Sequence, residues 1–366
     1  MCGVLGIIGI GDYEPKKEQV RQEIMMFFAT EILRLTEKRG EDATGIACLF
    51  QDCSYVGLKM GVSAQQFITR YGKKSTDYKG FMNVWRKKTS PAKIVIGHCR
   101  KPSPGYASPT TDNKNNHPIC VGNIVGVHNG TLKNHEEIIS GLKCKQEGSV
   151  DSEAIFHLLN FYTRNGEDPF SIEALEETCR RLDGTYAVLS FNVQNPYQLS
   201  AFRNGRPLEL MFIRPLKMLI IASELIFLRK VVLMYNRLAN LYGLDWPQLK
   251  KGDVKEALLR DDHVFLFSTT MKITNKTGAT DLFLEKRVPM TDKVWKKTHT
   301  NQNNGTQHNA VINKHKHNKY KSNKSLLAWD ENKGGYKRIE SAEDYKTVLL
   351  DKDGKVTNIC EPEKKS

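Results

Sequence analysis

Cys2 stands between Met1 and Gly3 in this 366-residue chain. A side chain as small as cysteine permits removal of Met1, and Cys2 is then expected to be the first residue. An N-terminal cysteine is a self-contained catalytic unit. Its thiolate attacks, and its own α-amine, with an ordinary pKa near about 7.7–8.0, takes and returns the proton. No histidine partner is needed. The alternative for Cys2 is a buried small residue on a first strand. Further along, Arg39-Gly40-Glu41-Asp42-Ala43-Thr44-Gly45 sets two glycines around a charged turn. Gly97-His98-Cys99-Arg100-Lys101-Pro102-Ser103-Pro104-Gly105 opens a Pro/Gly-rich loop that runs to His117-Pro118. Loops of that length are functional or disordered. Val127-His128-Asn129-Gly130 reads as a strand closing in an Asn-Gly turn. Asp151-Ser152-Glu153 begins a helix, Leu182-Asp183-Gly184 opens a strand, and Arg203-Asn204-Gly205 and Ala222-Ser223-Glu224 complete the series.

The elements that must hold these residues follow from apolar periodicity. Val4–Ile10 is a short β-branched run, the mark of a buried strand. Lys17–Lys38 carries Val20, Ile24, Phe27, Phe28, Ile32 and Leu35 at helical spacing, and Gly40 closes it. Gly45–Phe50, Lys93–Gly97 and Ile124–His128 read as strands, and Ser152–Tyr162 and Ser171–Leu182 as helices. Thr185–Val193, Leu199–Phe202, Leu210–Arg214 and Met218–Ala222 are strand-like, with a helix from about residue 223 to 241. Val264–Ser268 and Asp281–Glu285 close the series. Strands arrive in clusters, with long single helices between them. That disfavours strict βαβ alternation and fits antiparallel sheets covered by helices.

Taken in order, these segments resemble the class II glutamine amidotransferase domain, an N-terminal nucleophile hydrolase, over about residues 2–240. The glutaminase domains of glucosamine-fructose-6-phosphate amidotransferase and glutamine phosphoribosylpyrophosphate amidotransferase are the similar proteins. The resemblance implies an α+β fold, a four-layer αββα sandwich. It makes Cys2 the nucleophile that forms a γ-glutamyl thioester and releases ammonia. Asn129 and Gly130 match the oxyanion hole, where preorganised donors meet developing charge. Arg100 matches the arginine that grips the α-carboxylate of glutamine, a task for a planar fork of donors. Asp151 matches the carboxylate for the α-ammonium. Ser103 keeps a hydroxyl where the family has threonine, and His117 matches a histidine near the pocket. Arg39 either braces its turn or touches ligand, and His98 and His128 read as structural. Departures from the family loop are Lys101, in place of an aromatic residue, and the stiffening Pro102 and Pro104.

The chain is basic, with 55 Lys and Arg against 41 Asp and Glu, a net charge of +14. Its 39% hydrophobic content is enough for a core, and no run reaches the roughly 18 apolar residues of a spanning helix. MCGVLGIIG lacks the basic n-region of a signal peptide, so a cytoplasmic location is expected. The eight cysteines are scattered without a C-x-x-C pair, so neither disulfides nor a metal site is expected, and no cofactor is called for. Thr291–Ser325 holds eight lysines and one acidic residue, net +7, and Thr298–Ser325 is rich in Asn, His and Lys. Such a stretch cannot offset its ordering entropy. It reads as a solvated linker in preference to a nucleic-acid-binding arm. The expected organisation is a catalytic domain over 2–285, a basic polar linker over 286–325 and a small docking segment over 326–366. No phosphoribosylpyrophosphate loop, sugar-isomerase phosphate loop or S-G-G-x-D-S motif occurs. The function expected is therefore glutamine hydrolysis that supplies ammonia to a separate acceptor synthase, in nucleotide or sugar modification. The alternative is a catalytically weak scaffold that docks through its basic tail.

Overall fold

The computed structural model describes residues 2–69, 77–101, 109–273 and 280–288, together with four short strands beyond them. The first apolar run forms β1 (Gly3–Gly9). Behind it comes α1 (Pro15–Thr36), with proline in the first turn, where a missing N–H breaks no helical bond. A single 3-10 turn over Glu37–Arg39 ends it before Gly40. Next are β2 (Ala43–Phe50), β3 (Tyr55–Met60), α2 (Ala64–Thr69), α3 (Tyr78–Lys87) and β4 (Ala92–Arg100). The middle of the chain gives β5 (Ile119–Val121), β6 (Ile124–Leu132), α4 (His135–Leu142), α5 (Ser152–Tyr162) and α6 (Ile172–Arg181). Then come β7 (Gly184–Asn192), β8 (Asn195–Asn204), β9 (Glu209–Ile213), β10 (Met218–Ala222) and α7 (Leu225–Tyr242). β11 (Val254–Leu258), β12 (His263–Ser268) and β13 (Phe283–Arg287) follow. The last strands are β14 (Leu327–Asp330), β15 (Gly335–Arg338), β16 (Val348–Leu350) and β17 (Val356–Thr357).

Two sheets stack face to face. One has the order β11-β9-β10-β1-β4-β2-β3-β16-β17, the other β13-β12-β8-β7-β6-β5, and β14 pairs with β15 apart from both. Pairing is antiparallel throughout the named strands except for β16, which lies parallel to β3 with Leu349 opposite Gly57. The alternation of side chains then builds three apolar layers. Leu5 and Ile7 of β1 pack outward on Ile24, Phe28 and Ile32 of α1 and on Leu228 and Val231 of α7. Val4 and Ile8 pack inward with Ile94 and Ile96, against Val125, Val127 and Leu189 of the facing sheet. Beyond that sheet, Leu132 and Val188 meet Ile155 and Leu159 of α5 and Leu175 and Cys179 of α6. Helix, sheet, sheet, helix: the αββα arrangement is the one expected. Each fully buried aliphatic side chain contributes about 1.5–3 kcal/mol, so the inner layer is what holds the sheets together.

Two expectations are corrected. Asn129 and Gly130 form no turn. They lie inside β6, which continues to Leu132 because β7 offers it a full ladder, with Asn129 opposite Ala187 and Leu132 opposite Gly184. Cys120 is disulfide-bonded, against the expectation of free thiols, while Cys48, Cys53, Cys99 and Cys179 are buried and free. The partner of Cys120, the polar stretch 298–325 and the segment 102–108 with Ser103 all lie outside the described residues. No helix among the described residues is long and apolar enough to cross a membrane.

Candidate active site

Cys2 immediately precedes β1, and the glycine after it lets the strand begin there. A Cβ on Gly3 would stand 2.1 Å from Thr36 Cγ2 at the end of α1. Three braces fix this start. Arg39 Nε donates to the Cys2 carbonyl at 2.9 Å, and its guanidinium is ion-paired with Glu224. Val4 N donates to Ser223 Oγ at 2.9 Å, and Ser223 N donates to the Val4 carbonyl at 3.1 Å. Arg39 is therefore a brace, and the Ala222-Ser223-Glu224 segment completes the clamp. Cys2 Sγ lies 3.3 Å from both N and O of Lys101. Burial pushes the thiol above its ordinary pKa, and the Lys101 N–H pulls the other way.

Strand parity decides which way the other groups face. Val4 and Ile8 face the inner layer, so Cys2 has inward parity; Ile94 and Ile96 give the same to His98 and Arg100. Val125 and Val127 give it to Asn129. Gly3 is opposite Cys99, which puts Arg100 at the Cys2 end of the sheets. Asp151 precedes α5, yet its carboxylate makes no cap bond to that helix. Its Oδ2 accepts instead from Leu132 N at 2.6 Å, drawing it to the end of β6. Arg100 and Asp151 both act electrostatically on Cys2.

The buried Asn129 Nδ2 has no hydrogen-bond partner among the described residues. Beside it, a Cβ on Gly130 would stand 1.9 Å from the Thr185 carbonyl oxygen, so only glycine lets β6 lie this close to β7. His117 is buried against His98, ring centroids 4.2 Å apart and the planes tilted by 36°, with no hydrogen bond to the four ring nitrogens among the described residues. Burial lowers the pKa of His98 to about 3, with the Arg100 charge adding to it. His117 is lowered for the same first reason, with His98, His128 and Arg100 contributing. His128 faces α5, where Nδ1 lies 2.8 Å from Ser152 Oγ, and burial lowers it too.

Cys2, Arg100, Asn129, Gly130 and Asp151 thus belong to one end of the inter-sheet space, and His117 lies within electrostatic reach of Arg100. Three residues near this end escaped the sequence reading. Lys59 donates to the carbonyls of Asn116 and Pro118, Asn116 accepts from Arg100, and Asn115 accepts from Ser149 N. The signal for Lys59 was weak: it shares a face with Tyr55 and Gly57 in a six-residue segment with only one β-branched residue, Val56. A nucleophilic thiol, a cation, a carboxylate and an unpartnered amide donor suit a zwitterionic ligand that carries an acyl carbon open to attack. Among the described residues, no group of three His, Cys, Asp or Glu side chains could hold a metal ion.

Residues 107–230 match the sequence model of the glutamine amidotransferase domain family. The chain is similar to glutamine–fructose-6-phosphate aminotransferase (isomerizing) of Sulfurisphaera tokodaii, 28% identical over 193 residues, covering 52% of this chain and 28% of that one. The enzyme of the same name from Vibrio parahaemolyticus is 28% identical over 272 residues, covering 72% and 37%. Among solved structures, glutamine phosphoribosylpyrophosphate amidotransferase from B. subtilis aligns with a TM-score of 0.49 at 17% identity, over 79% of this chain and 50% of that one. The chain spans about a third of the length of these curated relatives.

Proposed function

We infer that this chain, which carries a class II glutamine amidotransferase domain related to the glutamine–fructose-6-phosphate aminotransferases, hydrolyses the side-chain amide of L-glutamine through Cys2. Arg100 takes the α-carboxylate and Asp151 the α-ammonium, which orients the δ-carbon toward Sγ. The thiol, its pKa raised above the ordinary value, stays protonated at rest, so attack needs a base, and the α-amine freed by loss of Met1 takes the proton as the S–C bond forms. Asn129 Nδ2 and Gly130 N–H receive the oxyanion. Collapse expels the amide nitrogen, which leaves as ammonia with the proton held by the amine, and a γ-glutamyl thioester remains. Water then adds to the thioester, glutamate departs, and the thiol regains its proton. Ser103 and His117 complete the proposed pocket. The ammonia is taken up by a separate acceptor synthase, in nucleotide or sugar modification.

The observation that carries this reading is a thiol that feels both Arg100 and Asp151, with the buried Asn129 amide, unpartnered among the described residues, on the strand whose end holds the Asp151 carboxylate. The test is ammonia release from L-glutamine by the purified chain, with the intact mass read on the same sample. Active protein should lack Met1, and Cys2→Ala should be silent yet melt like wild type. Wild-type turnover by Cys2→Ala, or activity in protein that keeps Met1, would overturn it.

A further inference from the structure

Lys59 has no task in the chemistry above, yet the fold buries it. It sits on β3 with inward parity, and burial lowers its pKa to about 8. Its Nζ donates to the Asn116 carbonyl at 2.8 Å and the Pro118 carbonyl at 3.0 Å, on either side of His117. Gly45 leaves the room for this, since a Cβ there would stand 2.0 Å from the His117 oxygen.

Asn116 is fully buried, and its side chain is fixed by what it bonds. Nδ2 donates to the Thr110 carbonyl at 2.7 Å and to Asn113 Oδ1 at 3.0 Å. Those two acceptors decide which way round the amide lies, so Oδ1 faces Arg100 and accepts from Nη1 at 3.0 Å. A neutral oxygen orients the guanidinium without cancelling its charge; a carboxylate there would compete with an incoming one. The same turn also reaches toward Asp151. Asn115 Oδ1 accepts from Ser149 N at 2.7 Å, two residues ahead of it in the chain.

We propose that Asn116, held in place by Lys59, is the positioning residue that aims Arg100 at the substrate α-carboxylate. This rests on the glutaminase reading, and the test separates the two. Turnover of L-glutamine and of its α-carboxamide analogue is measured for wild type, Asn116→Leu, Asn116→Asp and Lys59→Met, with a melting curve for each. Wild type should turn over L-glutamine and prefer it to the analogue. In Asn116→Leu the KM for glutamine should rise about tenfold with kcat within about twofold, and the preference should shrink by the same factor. Lys59→Met should move in the same direction by about threefold. Asn116→Asp keeps the size of the side chain but pairs with Arg100, so its KM should rise while kcat holds, even if the leucine variant fails to fold. An equal loss on both substrates, or a fall in kcat at constant KM, would overturn the positioning role alone. A wild type that turns over no glutamine would overturn the glutaminase reading and this role with it.

Discussion

At the scale of single residues, the site is a set of charges whose worth depends on their partners. Arg100 and Asp151 carry opposite charges, and each acts on the Cys2 thiol. Losing either would leave one substrate charge facing a partly dry site without a counter-charge. Arg100→Ala or Asp151→Ala should therefore raise the KM for glutamine by the equivalent of about 2–5 kcal/mol. Steady-state kinetics on both variants checks this, and an unchanged KM in both would mean the zwitterion clamp lies elsewhere. These residues were readable because their motifs are local. Asn129-Gly130 was legible as chemistry but not as conformation. The dipeptide carries a turn signal, and the ladder to β7 overrides it with pairing that no neighbouring residue announces. Asn116 was not readable, since its role consists of bonds to Arg100, Thr110 and Lys59 that exist only after folding.

At the scale of elements, the inner layer combines apolar packing with a polar inclusion. His98 and His117 lie ring against ring, tilted, with their ring nitrogens unpartnered among the described residues, and His128 lies on the far side of β6. All three have pKa values below the ordinary about 6.5, because burial disfavours the charged ring. The native state then takes up protons later than the unfolded chain does. Stability is full above about pH 6.5 and is lost as the pH falls from there toward about 3 for His98. Melting temperature measured at constant ionic strength should decline steadily from pH 7 to pH 4, and His98→Gln should flatten that decline. A flat profile in wild type would contradict the argument. Periodicity had made α5 and β10 legible to the residue, whereas β3 was missed because Gly57 and Lys59 interrupt its apolar face. α4 was missed because it buries only Ile138. α3 carries Tyr78, Phe81, Met82 and Trp85 at helical spacing, a period open to reading behind its Asp77 cap.

At the scale of the molecule, we propose that residues 2–285 are the catalytic unit, 286–325 the basic linker and 326–366 a docking segment. β16 gives the last of these a seat on the chain's own sheet, parallel to β3. The site draws on β1, β4, β6 and the start of α5, and β16 pairs with none of them. Truncation after residue 290 should leave glutamine hydrolysis intact. It should also bare the edge of β3, an unpaired strand that invites pairing between copies. Light scattering against concentration should then show self-association that the full chain lacks. Loss of hydrolysis on truncation would move the domain boundary to the C-terminus.

The clamp on β1 joins residues very far apart in the chain: Val4 to Ser223, and Cys2 to Lys101. Contacts of such long sequence separation form late, because the intervening loop must lose its freedom before they return anything. A nascent or half-folded chain therefore has the thiol without the pocket. If Cys2 is the nucleophile proposed above, catalytic competence arrives only with the closing of the whole sandwich, so an incomplete molecule would spare glutamine, and turnover itself would report that folding is finished.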